Sequence, residues 1–372
     1  MNIPQNWHIF CRVIDNFGDI GVCWRLSRQL AHQFRRSVTL WVDDLHSFQA
    51  LCEAVDPTRA HQCIDAVQVR HWQDPLPHCE PADVVIEAFG CHLPEDYIRR
   101  MTRHRPLWIN LEYLSAEAWV KDYHLNQSPV HGLRKTFFFP GFEAGTGGLL
   151  WEPQLQELAH ADDAARNAWR QQLGLPESPG LTVSLFAYEN AALPDLLQAL
   201  AEHASPCTLA VPQGRMGAGV AHWLGHDLAA GDRYQRNGLT LVGLPFLQQP
   251  EYDQLLALCD LNFVRGEDSF VRTQMLGRPF VWHIYPQEES AHLAKLDAFL
   301  SLYTRDMPSP LAASLHTAHQ QWNQPQHTQS LPWQTLLEQL PSWRRHALSW
   351  REKLQMHGDL ASNIVHFCTN QV

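Results

Sequence analysis

The sequence predicts an α/β chain built from two Rossmann-like domains. Three observations predict this. Short apolar runs alternate with helical periods through the first half, and the second half repeats that style. The length, 372 residues, exceeds what one ordinary core holds and suits two domains of common size. Strand, helix, strand at this spacing implies parallel pairing in a doubly wound sheet.

The elements follow in order. Residues 7–14 read as a buried strand, closed by Gly18 and Gly21, and 22–34 carry a helical period. Residues 38–42 form the next strand and 45–54 a helix; strands follow at 67–71, 83–88 and 107–111. A glycine-rich turn from Pro140 to Gly148 ends this half. Residues 154–173 suit a polar connecting helix, and 174–180, with two prolines, a boundary. Strands are then expected at 181–187, 208–211, 239–241, 261–264 and 279–284, with helices between them, such as 194–203 and 252–259. Residues 308–332, rich in Gln, His and Pro, suggest loops, and 342–367 a helix. This places the first domain at 1–150, a linker at 151–180 and the second domain at 181–344. A carboxy-terminal helix at about 345–372 is expected to pack back on the first domain.

Bulk composition excludes several classes. Hydrophobic residues make up 45%, enough for a sizeable core. A formal net charge of −11 makes a general binder of nucleic acid or anionic membrane a poor reading. Residues 1–7 show no basic stretch leading into an apolar core, and no apolar run approaches a membrane span. The nine cysteines are scattered and form no C-x-x-C pair, which suits reduced, mostly buried thiols in the cytoplasm. His316 and His319 are spaced like a helical metal pair, but with no third ligand near them they read as surface histidines.

Open parallel sheets bind ligands outside the carboxyl ends of their strands. Three stretches at such ends are chemically unusual. The first is Asp15-Asn16-Phe17-Gly18-Asp19-Ile20-Gly21, after the first strand. One aspartate could act as a base while the other orients an acceptor; equally, either could cap the helix. G-x-G-x-x-G is absent, and a carboxylate here would repel a pyrophosphate. The second is Arg265-Gly266-Glu267-Asp268-Ser269-Phe270. A glycine turn opening a helix offers free N–H groups and a positive dipole end, suited to a diphosphate, or it is another capped helix. Glu267 and Asp268 oppose an anion locally, so sugar hydroxyls are an alternative partner. The third pairs Phe186-Ala187-Tyr188-Glu189 with Leu244-Pro245-Phe246-Leu247-Gln248-Gln249. Their aromatic faces could stack on a base, with Gln249 reading its edge, or could simply fill the core. H-E-x-x-H, a P-loop and G-x-S-x-G are all missing.

Five stretches together resemble the bacterial EarP family. They are residues 15–26, 110–117, 137–142 (Phe-Phe-Phe-Pro-Gly-Phe), 184–189 and 264–270, in the family's order. The resemblance implies a GT-B glycosyltransferase fold, with two Rossmann-like domains facing across a cleft. It implies transfer of L-rhamnose from dTDP-β-L-rhamnose to an arginine of translation elongation factor P, with inversion, no metal and no other cofactor. The modified factor would then support translation through proline runs. Matching positions make Asp19 the general base, with Asp15 and Glu267 also needed for activity. Asn16, Phe17, Gly18, Phe186, Tyr188, Phe246, Gln249, Arg265, Asp268 and Ser269 fall at donor-binding positions. Glu112 and Tyr113 are the candidates for gripping the acceptor. The alternatives are a transferase or epimerase using another nucleotide sugar or acceptor, or a non-catalytic module that binds a translation factor. No direct nucleic-acid or membrane partner is expected.

Overall fold

A computed structural model describes residues 3–14, 17–177, 180–287, 290–324 and 333–371. The chain forms two compact units. The first comprises residues 1–152 with 354–372, and the second 153–353.

The first unit runs β1 (Asn6–Cys11), α1 (Gly18–His32), β2 (Ser37–Val42), α2 (Leu45–Leu51), β3 (His61–Ile64), β4 (Val67–His71), β5 (Val84–Ala88), α3 (Glu95–His104), β6 (Leu107–Leu111), α4 (Val120–Tyr123), β7 (Gln127–Val130) and β8 (Leu133–Phe138). Its sheet order is β3-β4-β2-β1-β5-β6-β8-β7. The six inner strands pair in parallel, and the central ones, β1, β2, β5 and β6, are largely buried and mostly apolar. Glu87 in β5 is a buried charge among them, 1% exposed. It accepts hydrogen bonds from the Trp108 indole and Lys135 Nζ, so its charge is compensated inside the sheet.

The outer strands β3 and β7 pair antiparallel through two-residue turns. Asp65 and Ala66 hold φ of 48° and 64°, and His131 and Gly132 hold 49° and 77°. Positive φ at both central residues gives the tight hairpin that matches strand twist. These strands, and β8, were absent from the sequence reading, because β3 and β7 are short, polar edges without an alternating apolar pattern.

The second unit runs α5 (Pro153–Ala159), α6 (Asp163–Gln172), β9 (Leu181–Leu185), α7 (Leu193–Ala201), β10 (Cys207–Pro212), α8 (Gly217–Leu224), β11 (Arg233–Arg236), β12 (Leu239–Leu244), α9 (Gln249–Leu258), β13 (Leu261–Arg265), α10 (Asp268–Met275), β14 (Phe280–His283), α11 (Ala291–Tyr303), α12 (Ser309–Asn323), α13 (Trp333–Glu338) and α14 (Leu340–Gln355). Its sheet order is β11-β12-β10-β9-β13-β14, parallel except for β11. Tryptophan fills its core. Phe270 stacks on Trp282 at 3.8 Å, and Phe263 packs against both Trp322 and Trp333.

Four sequence expectations change here. The stretch read as a linker contains α5 and α6, which belong to the second unit; the Arg166 guanidinium donates to the Ala257 and Leu258 carbonyls at the end of α9. The stretch read as loops contains α12, which buries Leu311, Leu315, Ala318, His319 and Trp322 along one face; residues 325–332 lie outside the described residues. His319 is therefore a core histidine and not a surface one, donating through Nδ1 to the Leu315 carbonyl (3.0 Å). The helix expected over 342–367 is broken at Gly358, φ 73°, into α14 and α15 (Leu360–Asn370).

That break serves the first unit. Gly148, φ 76°, lies so close to Gly358 that a Cβ would stand 2.8 Å from its carbonyl oxygen. Asn363 donates to the Gly147 carbonyl, and Gln29 of α1 donates to Asp359. The glycine-rich turn is thus where α15 docks, which only a residue without a side chain permits.

Candidate active site

In the first unit, the chemistry gathers at the carboxyl ends of the neighbouring strands β1, β5 and β6. Asp19 lies in the first turn of α1, after the cap residue Phe17, whose carbonyl accepts the Gly21 N–H at 2.9 Å. Its side chain reaches partners outside this helix. Asp19 Oδ2 accepts from the backbone N–H of Ile14 at 2.8 Å, and Oδ1 accepts from the Tyr113 hydroxyl at 3.2 Å. The carboxylate is 2% exposed, so these bonds hold its orientation. Asp15 and Asn16, the other aspartate and a donor candidate of this turn, lie outside the described residues.

Tyr113 is itself held. It stacks on Phe89 at 4.6 Å and 18°. Phe89 follows β5 with φ 56°, a conformation costly for a bulky residue, and its N–H donates to the Leu111 carbonyl. Glu112 accepts from the Asn110 amide, and its own N–H donates to the Phe138 carbonyl. Burial first, then neighbouring Cys23 and Asp19, push the Cys11 thiol well above its ordinary value, so it stays neutral beside the carboxylate. Phe89 was missed from the sequence; its position directly after a strand and before Gly90 was the available signal.

In the second unit, the parallel strands β9, β12 and β13 deliver the remaining candidates to one sheet end. Arg265, ending β13, lays its guanidinium 4.2 Å from the Phe186 ring centre and 5.0 Å from that of Tyr188, both after β9. Phe186 also packs on Tyr252 of α9, at 5.2 Å. Gly266, φ 62°, turns the chain, and its carbonyl accepts from the Trp282 indole. Ser269 ties the turn, its hydroxyl donating to the Arg265 carbonyl at 2.7 Å. Glu267 occupies the cap position of α10 but makes no side-chain cap bond, so the capped-helix alternative does not account for its carboxylate.

Gln249 at the start of α9 donates to Asp268 at the start of α10, 3.4 Å. Beneath them, Arg272 grips Asp253 with two bonds of 3.2 and 2.8 Å, both side chains buried, which fixes α10 against α9. Phe246 is half-buried after β12. Tyr188 is largely core, edge-on to His283, whose imidazole burial and Arg265 push down to about 3. Two residues here escaped the sequence reading. Arg215, exposed after β10, reaches within 5.8 Å of the Tyr188 ring, and Tyr252 backs Phe186.

Two α/β units, each built on a largely parallel sheet with polar and aromatic residues at the carboxyl strand ends, have the architecture of the GT-B fold. MurG of Acinetobacter baumannii shares that fold at a TM-score of 0.53, 13% identity, and 99% and 100% coverage of the two chains. The sequence matches the family described as elongation-factor P (EF-P) rhamnosyltransferase EarP over residues 7–369, and the chain belongs to that family. The protein-arginine rhamnosyltransferase of Pseudomonas aeruginosa is 49% identical over 370 residues, covering 97% of this chain and 98% of its own. That of Shewanella oneidensis is 39% identical over 392 residues, covering 98% and 97%. A solved structure concerned with EarP-mediated arginine glycosylation of translation elongation factor EF-P is similar at a TM-score of 0.70, 35% identity and 99% coverage of both chains.

Proposed function

We propose that this chain transfers L-rhamnose from dTDP-β-L-rhamnose to an arginine side chain of elongation factor P, inverting the anomeric configuration without a metal. In this reading the first unit supplies the base and grips the acceptor, and the second binds the donor. The reaction takes place in the cytoplasm, and the modified factor supports translation through proline runs. The observation that carries the reading is the buried Asp19 carboxylate, held by an N–H and a phenol at a strand end in a chain of this family.

The nucleophile constrains the mechanism. An ordinary carboxylate titrates near 4 and a guanidinium near 13, so prior deprotonation would cost about 12 kcal/mol. General base catalysis supplies roughly 3–5 kcal/mol. Asp19 therefore accepts the proton as the C–N bond forms, and no free neutral arginine precedes that step. Asp15 and Glu112 hold the guanidinium and help localise its lone pair. On the donor side, the amino-terminal N–H groups of α10 and the Arg265 guanidinium take the developing diphosphate charge, with Asp268 and Ser269 shaping the turn. Glu267 orients the sugar. Phe186, Tyr188, Phe246 and Gln249 enclose the nucleoside, and Phe17 and Gly18, with Asn16, contact the donor from the first unit's turn.

The test is the intact mass of elongation factor P after incubation with enzyme and dTDP-β-L-rhamnose. One deoxyhexose increment is expected, lost with Asp19→Asn while dTDP still raises the melting temperature. No increment with the native chain, or stronger stabilisation by UDP than by dTDP, overturns the reading.

A further inference from the structure

In the functional reading above, on which this inference rests, the rate depends on how firmly the Asp19 carboxylate is aimed. Asp19 follows β1 and Tyr113 follows β6, and β5 lies between those two strands in the sheet. The turn after β5 therefore leaves the sheet between the base and the phenol that bonds to it. This turn carries Phe89, whose ring stacks on Tyr113 at 4.6 Å.

The chain does not adopt such a turn unaided. Phe89, Gly90 and His92 hold φ of 56°, 61° and 54°. Two of the three carry side chains, for which the left-handed region is unfavourable, so the turn persists only where its surroundings fix it. Backbone bonds hold its first part. The Phe89 N–H donates to the Leu111 carbonyl at 2.7 Å, and the Cys91 N–H donates to the Ala88 carbonyl at 3.1 Å. The His92 N–H has no backbone acceptor among the described residues; it donates to Oε1 of Glu87 at 3.1 Å.

Glu87 reaches the turn from inside the sheet. Its other oxygen, Oε2, accepts from the Trp108 indole of β6 at 3.1 Å and from Lys135 Nζ of β8 at 3.3 Å. Trp108 and Lys135 are register partners, and the ammonium lies 5.2 Å from the Trp108 ring centre. Burying a carboxylate with an ammonium is costly, and apolar residues of similar size would fill the same space without that cost. What an apolar residue at 87 could not offer is an acceptor for the His92 N–H. One oxygen thus anchors the carboxylate to β6 and β8, and the other closes the turn.

We infer that Glu87 is a positioning residue for the base. It fixes the turn after β5 at His92, the turn holds Phe89 against Tyr113, and the Tyr113 hydroxyl holds Asp19. Glu87 is too deeply buried to touch a substrate, so its effect passes through these contacts alone.

The experiment combines Glu87→Gln with Tyr113→Phe and measures kcat and KM against elongation factor P, by intact mass over time. Melting temperature and stabilisation by dTDP are recorded for each protein. Glu87→Gln leaves one oxygen for donors on two sides, so the sheet or the turn loses an acceptor. Its kcat should fall about tenfold or more, with KM and dTDP stabilisation at the native values. In the Tyr113→Phe background the hydroxyl through which Glu87 acts is already gone. There Glu87→Gln should lower kcat by less than about twofold further.

Equal losses in both backgrounds overturn the inference, because Glu87 would then act by weakening the fold in general. A native kcat for Glu87→Gln overturns it too, as does a loss confined to KM or to dTDP stabilisation. If Glu87→Gln does not fold, Glu87→Asp takes its place. The shorter carboxylate keeps its charge beside Lys135 but loses its reach to His92, and the same outcomes decide. Failure of the native chain to modify the factor is a separate result, which sinks the functional reading itself.

Discussion

The phenol of Tyr113 donates a hydrogen bond to Oδ1 of Asp19 at 3.2 Å, joining two strand ends across 94 residues of sequence. The bond and the Phe89 stack together hold one face of the proposed base. A hydrogen bond to a charged group contributes about 1.5–3 kcal/mol, or roughly 10- to 150-fold in rate. Tyr113→Phe keeps the stack and removes only the hydroxyl. Its kcat should fall within that range while dTDP stabilisation stays at the native value. A variant with native kcat would show that Asp19 needs no such support.

The Arg265 guanidinium sits on the Phe186 face, so the aromatic ring and the cation arrange each other before any donor arrives. Arg265→Ala should weaken dTDP binding through lost charge. Phe186→Ala should weaken it through lost stacking and a displaced Arg265. Because the two residues touch, the double variant should lose less than the sum of the single losses. Calorimetric titration of dTDP into all four proteins measures this, and strict additivity would contradict it.

Arg272 and Asp253 are 1% and 5% exposed, so removing one partner leaves the other charge in the core. Arg272→Met should cost about 3–5 kcal/mol in urea unfolding. Arg272→Met with Asp253→Leu should recover much of that loss, since no buried charge remains. If the single substitution costs under about 1 kcal/mol, the pair does not anchor α10 to α9.

His319 is fully buried, and burial first, with His316 adding to it, pushes its imidazole down to about 4. The unfolded chain titrates near 6.5, so between those values the unfolded state holds the extra proton. The stability His319 contributes is complete above pH 6.5 and drains away as the pH falls toward 4, by up to about 1.4 kcal/mol per pH unit. His8, also pushed to about 4 by burial, adds in the same direction. Urea midpoints should therefore fall from pH 6.5 to 4.5, and His319→Leu should make that slope shallower by about one proton. An unchanged slope would place the acid sensitivity elsewhere.

The residue pattern determined much of this protein by itself. Parallel strands buried on both faces carry continuous apolar runs, so the inner strands and the alternation of the two units were legible. The strand-end rule then pointed to Asp19, Phe186, Gln249 and Arg265, because glycine turns and charged residues directly after such runs are local features. The edge strands were not legible, although Asn237-Gly238, with Asn237 at φ 51°, is a hairpin signal joining β11 to β12. The buried face of α12 was hidden behind its Gln and His content.

Only the tertiary structure decided what the site residues do to one another. From spacing, Asp19 could cap a helix or act as a base. Two of its partners, the Ile14 N–H and the Tyr113 hydroxyl, tie the carboxylate to the strand ends of β1 and β6. The same holds for Phe89 under Tyr113, Arg215 beside Tyr188, and Gly148 beneath Gly358. The physical reason is range. Periodicity and turn chemistry act over a few residues, whereas hydrogen bonds, ring stacking and close backbone approach join residues that meet only after the strands have paired.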